Sequence, residues 1–191
     1  MPKNNQTRSK DLQPAARPEP AAQPGMVRFL WSFPIYLAAG FGLLLAPFSR
    51  PFVDASTTIL VKICAFAVRA FGGSALARGN ALINPASGFT ISVEDTCNAS
   101  NVIILLGAAV LAFPARWGHR AKGFLAGAVV LHIVNFFRIV SLFYLAQYNY
   151  AWFEFAHWYV WEGLMMIVTL VLFWIWVQYS REEPPAVSEG A

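Results

Sequence analysis

The chain has 191 residues, of which 57% are hydrophobic and 13% charged. That is more apolar surface than a soluble domain of this size can bury, so the sequence reads as an integral membrane protein. The net charge of +4 does not point to nucleic acid, because the basic residues lie in a polar tail and in short loops between apolar runs, where they orient a chain in a bilayer. The two cysteines, Cys64 and Cys97, are too few for a disulfide framework and lack the spacing of a metal site, so no metal or other cofactor is expected.

Residues 1–25 are rich in proline and nearly free of large apolar side chains. They predict a disordered tail, because too little surface is available to offset the entropy of ordering. The apolar run that follows starts too far from the N-terminus and is too long for a cleaved leader, so it is expected to remain as an anchor.

Crossing about 30 Å of hydrocarbon takes roughly 20 helical residues. Four runs meet that length: 29–48, 97–115, 123–147 and 158–180. A fifth, 53–71, carries Lys62 and Arg69 seven positions apart and therefore on one side of a helix, which predicts a helix lying in the interface. Basic residues set the orientation. Lys3, Arg8, Lys10 and Arg17 in the tail, Arg28, the loop residues Arg116, Arg120 and Lys122, and Arg181 share one side if both termini are cytoplasmic. The segment 50–96 and the loop 148–157 then face outward, and 181–191 form a second disordered tail.

Within the outer segment, Phe89, Ile91 and Val93 alternate with Thr90, Ser92 and Glu94, the period of a half-buried strand. Turn residues at 77–80 and 84–88 bracket 81–83. The expected fold is thus an α-helical integral membrane protein. Residues 26–180 form one membrane domain of about four transmembrane helices, an interfacial helix and a small extracytoplasmic β-hairpin.

The chemistry concentrates at the outer ends of three spans. Asp95 and Thr96 suit an N-cap, which would place Cys97 in the first turn of a helix, where the macrodipole lowers a thiol's pKa from about 8.5. A lone cysteine is otherwise a small buried hydrophobe, the reading given to Cys64 in VKICAFAV. Arg138 lies roughly 13 Å or less from the outer end of its span. A charge there costs at least about 2.5 kcal/mol, so it needs a partner or a purpose. Snorkelling or a structural pair with Glu162 are the plain explanations. His157 sits in an aromatic belt of Trp152, Phe153, Phe155, Trp158, Tyr159 and Trp161, where an anchoring role is the plain one.

Three spans each bringing one member of a Cys, Arg, His set to the same leaflet argue for more than packing. The set makes a thiolate nucleophile, a base that later acts as an acid, and an oxyanion stabiliser. Glu162 is a supporting residue through Arg138. Asn98 and Asn135 either orient a reacting group or hydrogen-bond between helices. His132 and His119 fall away from this site, and the chain has neither GxSxG nor HExxH. The competing reading is a non-enzymatic scaffold or transporter subunit built on an Arg138–Glu162 pair.

The cysteine after a short outer hairpin, the segment NFFRIVSLFYLAQYN and then FEFAHWYVWEG resemble the exosortase and archaeosortase family, most closely its exosortase H branch. The resemblance covers roughly residues 29–179. It implies that Cys97, Arg138 and His157 are the catalytic set of a cysteine protease or transpeptidase at the outer face of the bacterial inner membrane. The implied partners are secreted proteins with a C-terminal tripartite signal: an IPTLxxWG-like motif, a hydrophobic helix and a basic end. Where the family often has Cys-Asn-Gly or Cys-Ser-Gly, this chain has Cys97, Asn98 and Ala99, so the freedom of glycine is missing beside the nucleophile.

Overall fold

The computed structural model describes residues 24–94 and 97–182. The tails expected at 1–25 and 181–191 fall outside these residues apart from their helical edges, and so do Asp95 and Thr96. The chain runs through helix α1 (Pro24–Leu45), a short 3-10 turn (Pro47–Ser49), helix α2 (Arg50–Ala70) and three strands. Helices α3 (Ser100–Ala112) and α4 (Trp117–Tyr148) follow, and then a helical stretch made of α5 (Tyr150–Phe155), a π-helical segment (Ala156–Trp161) and α6 (Glu162–Glu182).

Among the described residues, four helices are long and apolar enough to cross a membrane: Val27–Leu45, Pro47–Ala70, Trp117–Tyr148 and Tyr150–Ser180. By length and composition this set differs from the expected one. The expected span 97–115 contains a helix of only 13 residues, about 20 Å long at 1.5 Å per residue. Its ends explain its length. Ala99 takes a left-handed conformation, φ 67° and ψ 2°, which stops the helix on the Cys97 side. Phe113 is extended (ψ 136°) because Pro114 disfavours a helical residue before it.

Helix α2 meets the length and composition of a span, where the sequence predicts an interfacial helix. Lys62 and Arg69 are both exposed, while Val53, Thr57, Leu60, Val61, Cys64, Ala65 and Val68 form a buried stripe at helical spacing.

Short α3 is apolar all round and packs against α1, α4 and α6. At Gly40 of α1 a Cβ would lie 2.6 Å from Ile104 Cγ2, so glycine is what lets α1 approach. One cluster at this centre joins Val102, Leu106 and Val110 to Leu131, Met165 and Trp176. A second joins the buried stripe of α2 to Leu82, Val93, Ile139 and Phe143. Cys64 is wholly buried within it, the role of a small hydrophobe.

The sheet is antiparallel with order β1-β2-β3: β1 (Leu76–Arg78), β2 (Ala81–Ile83) and β3 (Thr90–Ser92). It has one strand more than the expected hairpin. Arg78 pairs with Ala81, so only Gly79 and Asn80 form the turn. Gly79 has φ +60°, as a two-residue hairpin loop requires. Asn84 Nδ2 donates to Gln147 Oε1 at 2.5 Å, and Leu82 is fully buried. The sheet is thereby fixed to the end of α4 and leads the chain towards Cys97.

Candidate active site

Cys97 precedes α3 by three residues, so it does not occupy the first helical turn as expected. The backbone N–H of Cys97 donates to Glu94 O at 2.8 Å. The helix is begun by its neighbours. Asn98 Oδ1 accepts the N–H of Ser100 at 3.0 Å, an Asx turn that satisfies one of the helix's free amide donors. Asn98 Nδ2 donates to Thr57 Oγ1 at 3.0 Å, and Thr57 Oγ1 donates to Val53 O at 2.9 Å. Asn98 and Thr57 are 3% and 2% exposed. The backbone just after Cys97 is thus latched to α2 by a buried, hydrogen-bonded pair of side chains.

Ala99 closes this turn. It is the one non-glycine residue with positive φ among the described residues, a conformation that disfavours a Cβ by about 1–2 kcal/mol. The chain keeps the turn that glycine would give and holds it with the latch. Thr57→Val keeps the shape of the side chain but leaves Asn98 Nδ2 buried without an acceptor. It is expected to lower stability by about 1–3 kcal/mol, and Thr57→Ser to restore it. Thermal unfolding of the purified protein in one detergent checks both.

His157 arrives from the other end of the chain. Asn149 caps α5 by accepting the N–H groups of Ala151 and Trp152 at 3.0 and 3.2 Å, and the helix then passes into the π-helical segment that carries His157. The imidazole stacks on Phe153 (centroids 5.7 Å, 21° apart) and meets Trp158 edge-on (5.0 Å, 84°). Held between these rings, His157 Nε2 lies 3.3 Å from Cys97 Sγ. That is hydrogen-bonding distance for sulfur, and a proton can pass along it. A π turn inserts an extra residue into the helical ladder and is frequent at functional positions.

Arg138 supplies the charge. Its side chain is 5% exposed, and its Nη2 lies 3.5 Å from Glu162 Oε2. The Glu162 side chain is 54% exposed, so the pair runs from the interior towards the surface. Arg138 Nε has no hydrogen-bond partner among the described residues. Cys97, Arg138, His157 and Glu162 line one cavity of about 710 Å³ together with Glu94 and Glu154.

The structure therefore brings Cys97, Arg138, His157 and Glu162 together. Asn98 stands beside them on the latch, facing α2. Asn135, one turn before Arg138, is fully buried, and neither its side-chain oxygen nor its nitrogen has a partner among the described residues. It is not among the residues lining the cavity. His132 lies in a separate apolar groove between α2 and α4, and the carbonyl of His119 accepts from Trp176 Nε1 at 3.2 Å. Three residues that the sequence reading missed are Thr57, Glu94 and Glu154. Glu154 stands one turn before His157, a spacing that was available as a signal. The place of Thr57 depends on how α2 meets the turn before α3, and no local pattern carries that.

A soft nucleophile, an imidazole at proton-transfer distance and a buried guanidinium on one cavity wall are the parts of acyl transfer through sulfur. The chain matches the family model for transmembrane exosortases (Exosortase_EpsH) over residues 6–175. No curated protein and no solved structure gives a significant match. The match spans most of the chain, and its apolar helices agree with it: the chain belongs to the transmembrane exosortase family.

Proposed function

We propose that this protein is a membrane-embedded cysteine protease or transpeptidase that processes the C-terminal sorting signal of secreted proteins through a thioester. The observation that carries the reading is the contact of 3.3 Å between Cys97 Sγ and His157 Nε2 in a cavity that Arg138 also lines. Membership of the family supports the substrate class, since exosortases act on secreted proteins bearing such signals. Both termini lie in the cytoplasm, α2 lies along the outer interface, and the cavity opens on the periplasmic side of the inner membrane. The signal is of the IPTLxxWG type, in keeping with the resemblance to the H branch.

In the first half-reaction His157 takes the proton from Cys97. The thiolate adds to the scissile carbonyl carbon, and the carbonyl electron pair moves onto oxygen, where the Arg138 guanidinium stabilises it. When that pair returns, the C–N bond breaks and the leaving amine takes the proton from His157. The substrate remains on Cys97 as a thioester. In the second half-reaction His157 deprotonates water or an acceptor amine as it adds to the thioester carbonyl, the C–S bond breaks, and the Cys97 thiolate that leaves takes the proton back from His157. Glu162 acts as a positioning residue, holding the guanidinium from the exposed end.

The Arg138–Glu162 distance of 3.5 Å also suits a non-enzymatic scaffold with a structural ion pair. That reading leaves the meeting of Cys97 and His157 without a role. The two separate in one experiment. Purified protein is mixed with a reporter carrying an IPTLxxWG-type signal, a hydrophobic helix and a basic end, and the reaction is stopped with acid. A covalent adduct of protein and reporter is expected, released by neutral hydroxylamine as a thioester is. Cleavage that proceeds with no adduct at any time would argue against the covalent route.

A further inference from the structure

At the end of the molecule remote from Cys97, the surface carries a second feature. Helices α3 and α4 leave a groove of about 290 Å³ lined by Gly107, Val110, Leu111, Trp117, Arg120 and Phe124. Every lining side chain but that of Arg120 is apolar or aromatic, and Arg120 lines the groove with the apolar part of its side chain. The guanidinium carbon of Arg120 lies 5.0 Å from the centre of the Trp117 ring. Its Nε is enclosed and has no hydrogen-bond partner among the described residues, and no carboxylate among them pairs with it. Trp117 itself is 72% exposed.

The surrounding sequence repeats the charge. FPARWGHRAKGF, residues 113–124, contains Arg116, Arg120 and Lys122 and no Asp or Glu. Arg116 and Lys122 are exposed. The groove passes Leu111 and Phe124 and reaches Gly107, where a Cβ would lie 3.1 Å from the Phe124 ring. Glycine therefore keeps the ring close to α3 there. The two parts ask for different things. Water gains nothing in an apolar slot, and a hydrocarbon chain does. A cation stacked on an exposed indole, with no carboxylate beside it, suits a phosphate. Basic pockets between membrane helices attract anionic headgroups in this way.

We propose that the groove binds one anionic phospholipid, with an acyl chain along Leu111, Phe124 and Gly107 and the phosphate on Arg120. Arg116 and Lys122 add attraction from outside. The site is independent of the chemistry at Cys97 and is assigned on charge complementarity with an apolar slot.

The test is native mass spectrometry of the full chain released from detergent, titrated with phosphatidylglycerol or with phosphatidylcholine of the same acyl chains. One phosphatidylglycerol is expected to be retained with a Kd about tenfold lower than that of phosphatidylcholine, a difference of roughly 1.4 kcal/mol. Arg120→Gln should bring the two lipids within about twofold of each other, while Arg116→Gln, outside the groove, keeps most of the preference. Leu111→Trp, which fills the slot and leaves the charges in place, should lower retention of both lipids. It carries the test alone if Arg120→Gln does not accumulate. Equal retention of the two lipids by the wild type, an unchanged preference in Arg120→Gln, or full retention in Leu111→Trp would each overturn the proposal. Displacement of the lipid by millimolar glycerol 3-phosphate would also overturn it, leaving a site for free phosphate.

Discussion

Replacing Cys97 by alanine should abolish processing of a signal-bearing reporter, by a factor on the order of 10⁴ or more in rate. The protein should still reach the membrane at its normal level. The size of the effect follows from what is removed. In the proposed mechanism Cys97 supplies the atom that bonds to the substrate, and the described cavity wall offers no second sulfur, since Cys64 is wholly buried in the cluster beneath the sheet. The mildness towards folding follows from place. Cys97 is only half-buried, its side chain contributes no helical cap, and the latch after it runs through Asn98 and Thr57. Co-expression with the reporter, read as a shift in size at matched protein levels, makes the comparison. Undiminished cleavage by Cys97→Ala would remove the thiol mechanism, and the scaffold reading predicts that outcome.

Arg138→Gln should lower kcat by about 10²–10³ and change KM little, as loss of a donor aimed at a developing oxyanion does. Arg138→Lys should recover only part of this, because an ammonium lacks the planar fork that spans an ion pair and a reacting oxygen at once. Stability should move differently. The arginine is 4% exposed and its Nε is unpartnered among the described residues, so the fold bears its desolvation with incomplete compensation. Its removal leaves behind Glu162, which is more than half exposed and can rely on solvent. Arg138→Gln is therefore expected to melt at the wild-type temperature or above it while losing activity. A structural ion pair demands the reverse, a drop in melting temperature shared by Arg138→Gln and Glu162→Gln. Parallel melting curves and initial rates for the three proteins distinguish the two roles.

Much of this was written in the chain. Continuous apolar runs marked the long helices, and the charge of Arg138 was conspicuous inside one of them. Cys97 and His157 stood out as reactive groups at the ends of others. What escaped depends on distant contacts or on small displacements of the backbone. Helix α3 read as a full span because its apolar run is uninterrupted, yet Ala99 and Pro114 cut it short. Of these, only Pro114 carries a local signal. Strand β1 is three residues long and too short for an alternating pattern to emerge. The π segment leaves no mark in composition, because it differs from α-helix only in which carbonyl each N–H chooses. Thr57 is one of several hydroxyls on α2 until the turn after Cys97 is placed against it.

That slip in the ladder works as a change of register between two surfaces on one rod. Before it, Trp152 and Phe155 point outward, each half exposed or more. After it, Met165, Thr169 and Trp176 turn into the bundle. Continuous α-helix would tie the two faces to a single phase of about 100° per residue. The inserted residue uncouples them at the point where His157 sits. The histidine's aim at the sulfur is therefore set by the winding of the backbone, and side chains in α6 are free to vary for packing without turning it away.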